Sequence, residues 1–419
     1  MLLGVIAIAY KPWRATDPPP PLHLWLRAIA VAMAVQLIPL PAIVVDHLSP
    51  HARTIWQALS LTPVRGGLPL SVDLASGVWA LGVGGGTILV FVLSRQIFSG
   101  GGVRIAARGV GAVGLVLAAI CLAQDATGGG RMYWRWKPLS EGAPPFGPFV
   151  NRNHFATWVV IAVPMCIGYL LAHTSAHRHD HETVVRTWHT RLLKLMDARS
   201  IWLGAAICLM LVALVASMSR AGMAGVVAAI VLGAYLRGRR TGSAGATWAI
   251  GAVSLAIVAA ALRVNPADVF HRFGAVGVAA ADRLAIWQAT LPVVKDFWLT
   301  GTGAGTFETV MLVYQRTPSL FRINAAHNHY LQVAAEGGLL IAIPAAAALY
   351  LFVQESRAAL ARDESGMYFL RAGALSGLFG VAVQSVWETG LTTPANAVLA
   401  ALAGAIVVHR SVPRVRSHH

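Results

Sequence analysis

Residues 325–353 read AAHNHYLQVAAEGGLLIAIPAAAALYLFV. His327, Asn328, His329, Gln332 and Glu336 crowd its first half, and from Gly338 to Val353 no charged residue follows. A helix needs about 20 apolar residues to cross a hydrocarbon core, or somewhat fewer with polar flanks. Working outward from this block, similar apolar stretches recur near 24–45, 74–94, 105–123, 154–172, 201–217, 221–236, 246–262, 368–388 and 395–409. Each predicts a membrane helix. Alternating segments of about ten residues, the mark of an outer-membrane barrel, are not evident.

Composition agrees. Of 419 residues 56% are hydrophobic and only 12% charged, where soluble proteins carry charge on about a quarter. The fold expected is an all-α polytopic membrane protein. Residues 1–10 are too short to cross unaided and lack a cleavage-site pattern, so they do not read as a secretory signal. Cys121, Cys166 and Cys208 fall inside apolar stretches and read as small buried residues rather than a disulfide framework.

Lys and Arg set the orientation. Taken loop by alternate loop, one side collects Lys11 and Arg14, then Arg95, Arg104 and Arg108, then Arg178, Arg186, Arg191, Lys194 and Arg199. Arg237, Arg239 and Arg240 follow, then Arg357 and Arg362, then Arg410, Arg414 and Arg416. That side is expected to be cytoplasmic. The net charge of +16 then reflects topology and contact with anionic headgroups, not nucleic acid. Loops 46–73, 124–153, 218–220, 263–337 and 389–394 fall on the opposite side.

The polar groups with usable chemistry gather on that opposite side. Ser217-Met218-Ser219-Arg220-Ala221-Gly222 joins two spans with almost no loop, so Arg220 either reaches headgroup phosphates or binds a ligand. Asp282 to Leu291 predicts an amphipathic helix with Leu284, Trp287, Leu291 and Val294 as its apolar stripe. Arg283 near its start is poorly placed for the helix dipole, which suggests another role. Gly301-Thr302-Gly303-Ala304-Gly305-Thr306-Phe307 is neither a Rossmann fingerprint nor a P-loop; it reads as a tight turn, with phosphate cradling by bare amides as the alternative.

Met132-Tyr133-Trp134-Arg135-Trp136-Lys137 alternates aromatic and basic residues, which suits an interfacial belt or sugar stacking equally. Asn151, Arg152 and Asn153 stand where a helix begins, as caps or as substrate contacts. His327 is a candidate general base, and spacing alone does not separate it from His329. On the cytoplasmic side His173, His177, His179, His181 and His189 surround Asp180 and Glu182, but no standard zinc spacing appears and the stretch reads as a solvated loop.

Taken in order, these segments resemble the O-antigen ligase superfamily, which holds O-antigen ligases, Wzy-type polymerases and related exopolysaccharide enzymes. The resemblance runs from about residue 146 to 345. It rests on Gly147 through Ala156, on Ser219-Arg220-Ala221-Gly222, on Arg283 through Phe307 with its Gly-x-Gly-x-Gly-x-Phe ending, and on His327-Asn328 with nine residues to Gly338. It implies a GT-C-like glycosyltransferase of about 10–12 transmembrane helices. Its parts would be N-terminal helices over 1–262, a large, partly helical periplasmic loop over 263–337, and C-terminal helices with a basic tail over 338–419.

The resemblance further implies inverting glycan transfer from an undecaprenyl-pyrophosphate-linked donor to an acceptor hydroxyl, at the periplasmic leaflet of a bacterial inner membrane. It makes His327 rather than His329 the base. Arg220 and Arg283 would hold the pyrophosphate as guanidinium forks, and nearby arginines would keep His327 neutral. Asn151, Arg152, Asn153, Asn328 and His329 are candidate substrate contacts. No cofactor or metal is expected. The acceptor would be lipid A–core for a ligase or a growing glycan for a polymerase. A lipid or polysaccharide transporter is the alternative from another class, although its charges would more often lie within the spans.

Overall fold

The computed structural model describes residues 20–61, 63, 66–137, 145–179, 197–242, 276–315 and 323–410. The expected span at 246–262, residues 1–10 and the cluster around Asp180 and Glu182 lie outside them. Thirteen α-helices run through the described residues, with isolated bridges but no β-strand. They are α1 (Pro21–Val35), α2 (Ala42–Leu48), α3 (Ala52–Leu59), α4 (Leu74–Ser99), α5 (Val103–Thr127), α6 (Arg152–His179) and α7 (Ala198–Ala216). Then follow α8 (Arg220–Thr241), α9 (Val276–Asp296), α10 (Phe307–Tyr314), α11 (His329–Arg362), α12 (Met367–Gln384) and α13 (Pro394–Val408). Six of them, α4 to α8 and α11, are long and apolar enough to cross a bilayer. The chain is an all-α polytopic membrane protein.

Two expected spans change. The stretch 24–45 is not one helix, because α1 stops at Val35 and Pro39 and Pro41 follow. Proline biases the residue before it toward extended backbone, and Leu40 there exchanges both backbone hydrogen bonds with Leu68. The stretch 368–388 ends as a helix at Gln384, and residues 385–389 are not helical. Of the cysteines, Cys121 and Cys166 are buried as expected, whereas Cys208 is exposed.

The described residues pack as two compact units, each discontinuous in sequence. The first draws on Met1–Val92, Phe270–Gln354 and Ser385–Thr389. Its core sets Val45, Ala52 and Ile55 with Val293, Phe297, Phe307, Val310 and Met311. The expected stripe of α9 is therefore only partly right. Thr290, Val293 and Phe297 face inward, while Leu284 and Leu291 are exposed. Apolar residues on both sides of a helix leave periodicity without a unique answer.

The glycine turn after α9 is held from three directions. Gly301, Gly303 and Gly305 all have positive φ, and a Cβ at Gly303 would strike Ser71 while one at Gly305 would meet the Ser76 carbonyl. Buried Gln36 donates to the Thr300 and Glu336 carbonyls (2.7 and 3.0 Å) and accepts from the Ala304 amide (3.1 Å). Asp73 caps α4 through Ser76 and also accepts from Thr309 of α10 (2.9 Å). Burial pushes the Asp73 carboxyl up, but these hydrogen bonds outweigh it and hold it below its usual range.

Gly338 breaks α11 with φ 51 and ψ −156. The break lets the Leu339 and Leu340 amides bond to the Trp298 and Leu299 carbonyls (2.8 and 2.9 Å). A Cβ there would lie 2.5 Å from the Gly301 nitrogen and 2.8 Å from Leu299 backbone. Gly338→Ala is expected to destabilise the protein by about 2–4 kcal/mol, since neither the dihedral nor the space admits a side chain. Thermal unfolding of the purified protein checks this, and an unshifted transition would refute it.

The second unit draws on Leu93–Val269, Glu355–Gln384 and Gly390–His419. Its centre is α12 against α6 and α8. Gly373 and Gly377 of α12 lie on the Pro164 and Ile161 carbonyls of α6, and Gly380 lies on Gly225 of α8. Small residues let membrane helices approach this closely when lipid offers no hydrophobic drive. Arg371 binds Asp363 (2.7 Å) and donates to the Val407 and His409 carbonyls (2.7 and 3.0 Å), which satisfies the end of α13.

Candidate active site

The site forms in the first unit from three separate pieces of chain. On α9, Arg283 and Trp287 are four residues apart and share a face. The Trp287 indole N–H donates to the Ala326 carbonyl (3.0 Å). From α11, the Gln332 side-chain oxygen accepts the Ala326 amide (3.2 Å). Ala326 is thus pinned on both sides, and His327 follows it with φ 47. A left-handed histidine is uncommon and strained. Here the clamp on Ala326 maintains it.

Asn328 then starts α11 as its cap. Its side-chain oxygen accepts the Leu331 amide (3.0 Å) and its carbonyl the Gln332 amide (3.0 Å). The His329 amide donates to the Ser385 carbonyl (2.8 Å), which draws residues 385–389 alongside. In that segment lies Glu388, with a side chain only 1% exposed. Arg283 Nη2 donates to Glu388 Oε1 at 2.6 Å. His327 Nδ1 lies 3.7 Å from Glu388 Oε2. A buried carboxylate needs such partners, because desolvation without pairing is costly.

The imidazole stands beside this carboxylate. Its Nδ1 is buried and makes no hydrogen bond among the described residues, and a small rotation would bring it onto Glu388. A carboxylate at Nδ1 favours the tautomer with Nδ1 protonated and leaves Nε2 as the basic nitrogen. His329 Nδ1 is also buried without a hydrogen bond among the described residues. Only His327, of the two, is paired there with a carboxylate.

Sequence reasoning missed Glu388. It took this residue as the last of a span at 368–388, so the acid was not counted on the outer face. An ionisable residue at the end of an apolar stretch was the available signal. Arg283, expected to act on His327 as a nearby positive charge, pairs with the Glu388 carboxylate. With a side chain 33% exposed, it still reaches solvent.

The glycine turn does not offer bare amides to a phosphate. The turn is filled by a carboxyl group of the protein itself: Glu336 accepts the Gly305 and Phe307 amides (2.8 and 3.2 Å) and the Gln332 side-chain N–H (3.1 Å). The Thr302 and Gly303 amides go to the Ala335 and Glu336 carbonyls. The tight-turn reading holds. Through Gln332, this turn is tied to Ala326 and so to His327.

The remaining candidates lie in the second unit. Arg220 is exposed at the first position of α8, whose cap is Ser219 with its hydroxyl on the Gly222 amide (3.3 Å). Asn151 accepts the Asn153 amide (2.8 Å) as α6 begins at Arg152, so the capping role is visible for Asn151. The Asn153 carbonyl accepts from Thr157 (3.0 Å). His173 pairs with Asp197 at 2.9 Å. Hydrogen bonds from Ser200 and from His173 hold the Asp197 carboxyl well below its usual range. Among the described residues no three His, Cys, Asp or Glu side chains converge as a metal site would require.

No curated protein matches the chain. The O-antigen ligase family model matches residues 205–346, a stretch that takes in Arg220, Arg283, the glycine turn, the His327–Asn328 pair and Gly338. Over this stretch the chain is similar to the O-antigen ligase family, which supports the resemblance read from its motifs.

Proposed function

We propose that the protein transfers a glycan from an undecaprenyl-pyrophosphate-linked donor to an acceptor hydroxyl, with inversion, as an O-antigen ligase at the periplasmic leaflet of the inner membrane. The observation that carries this reading is the His327–Glu388–Arg283 cluster, in a chain that matches the ligase family over residues 205–346. His327 Nε2 takes the acceptor hydroxyl proton as the oxygen attacks the anomeric carbon. Glu388 orients the ring and stabilises the imidazolium that forms. Arg283, held by one nitrogen to Glu388, turns its other N–H groups to the departing pyrophosphate. Arg220 has the same role by family resemblance. Asn151, Arg152, Asn153, Asn328 and His329 are assigned to substrate on the same basis.

Guanidinium groups in place of a divalent ion make the reaction independent of metal. Reconstituted protein given lipid-linked glycan should keep its rate in excess EDTA. Magnesium and manganese would need oxygen ligands held together, so collapse with EDTA and recovery with magnesium would overturn this scheme. The glycan's new reducing-end partner decides the reaction. Lipid A–core there identifies a ligase, a lengthened lipid-linked chain a polymerase, and an unaltered reducing end removes transfer altogether.

A further inference from the structure

In the second unit, residues 132–136 form a tight hairpin. Met132 and Trp136 exchange both backbone hydrogen bonds, at 2.7 and 2.9 Å. At its tip Tyr133 and Trp134 have φ of 50 and 61. Hairpins that need consecutive left-handed residues use Asn-Gly; other L-residues cost roughly 1–2 kcal/mol each in that region. The surroundings enforce the strain. Buried Gln124 accepts the Tyr133 amide (2.8 Å) and donates to the Gly147 carbonyl (3.0 Å), while Met132 is buried as an anchor.

Burial of the aromatic rings does not compensate for this conformation. Tyr133 is 57% exposed, Trp134 45% and Trp136 50%. Arg131, Arg135 and Lys137 beside them are exposed as well. A strained backbone that holds large rings in the open presents them to something. An interfacial tryptophan normally keeps its N–H for water and headgroups. Here the Trp134 N–H is taken by the Thr127 hydroxyl (2.7 Å), so the ring faces are what remains to be used. The neighbouring cavity, between Gln124, Arg131 and Phe146, holds about 30 Å³. That is room for a water and not for a sugar ring.

We propose that this hairpin is a binding platform for an anionic saccharide. The C–H faces of its sugar rings pack on Tyr133, Trp134 and Trp136, and Arg131, Arg135 and Lys137 pair with its phosphate or carboxylate groups. The proposal rests on the reading above only in taking the ligand to be a glycan.

The test uses full-length protein in nanodiscs of zwitterionic lipid, with a fluorescent, lipid-free phosphorylated oligosaccharide as probe. Tyr133→Asn combined with Trp134→Gly supplies the residues the turn prefers, so thermal stability should hold or rise. The same variant should bind the probe at least about tenfold more weakly, through the lost ring contacts. Arg135→Ala should weaken binding of the phosphorylated probe but not of its dephosphorylated form. Unchanged affinity in the double variant, or no binding by the wild type, overturns the proposal. So does an effect seen only as altered quenching of these rings by brominated anionic lipid, which would make the hairpin a membrane belt. A wild type that binds the probe but transfers no glycan refutes the proposed function and leaves this platform standing.

Discussion

His327→Ala is expected to lower glycan transfer at least about a thousandfold, with normal amounts of protein in the membrane, because a positioned general base contributes about 10²–10⁴ in rate. The backbone complicates this variant, since His327 has φ 47 and alanine tolerates that region poorly. His327→Asn is the better control: asparagine adopts positive φ readily but cannot take a proton. Both variants should be inactive, and His329→Ala should be much milder, because no carboxylate among the described residues pairs with its ring. Turnover by purified protein decides the matter. An active His327→Asn together with a dead His329→Ala would move the base to the second histidine.

Glu388→Gln should come next in size, with a fall in kcat of about 10²–10⁴, as when a carboxylate that orients a catalytic histidine becomes an amide. The amide can still accept from Arg283, so the 2.6 Å contact survives in form. The charge does not, and an amide N–H facing Nδ1 would favour the opposite tautomer. Glu388→Asp keeps the charge one methylene further away and should recover part of the rate. Glu388→Ala is less informative, since removing one partner of a buried pair can cost about 3–5 kcal/mol in stability, with Arg283's partial exposure placing this case toward the lower end. If Glu388→Gln turns over at the wild-type rate, the carboxylate serves only to anchor Arg283.

Much of the molecule was legible before any coordinates. Apolar blocks announced the spans, since hydrocarbon requires a helix to satisfy its own backbone. The nine residues between His327-Asn328 and Gly338 proved to be one short helical segment, started by the Asn328 cap and ended by a left-handed glycine. The Asn151 cap was equally readable. These are local features, governed by residues within about one helical turn of each other.

What went unread depends on distance along the chain. Arg283 and Glu388 are 105 residues apart, and nothing in the periodicity of either segment names the other. Residues 385–389 had to leave the helix after Gln384 and meet the His329 amide before Glu388 could be recognised as part of the site. For the glycine turn, sequence left phosphate cradling as an alternative to a tight turn, and only the distant Glu336 side chain, which takes the Gly305 and Phe307 amides, separates the two. Sequence alone determined the fold class and the Asn151 cap, because helix periodicity and capping act over a few residues. Tertiary packing alone decided which carboxylate reaches His327 and which side chain fills the turn, because those contacts join surfaces that no local pattern relates.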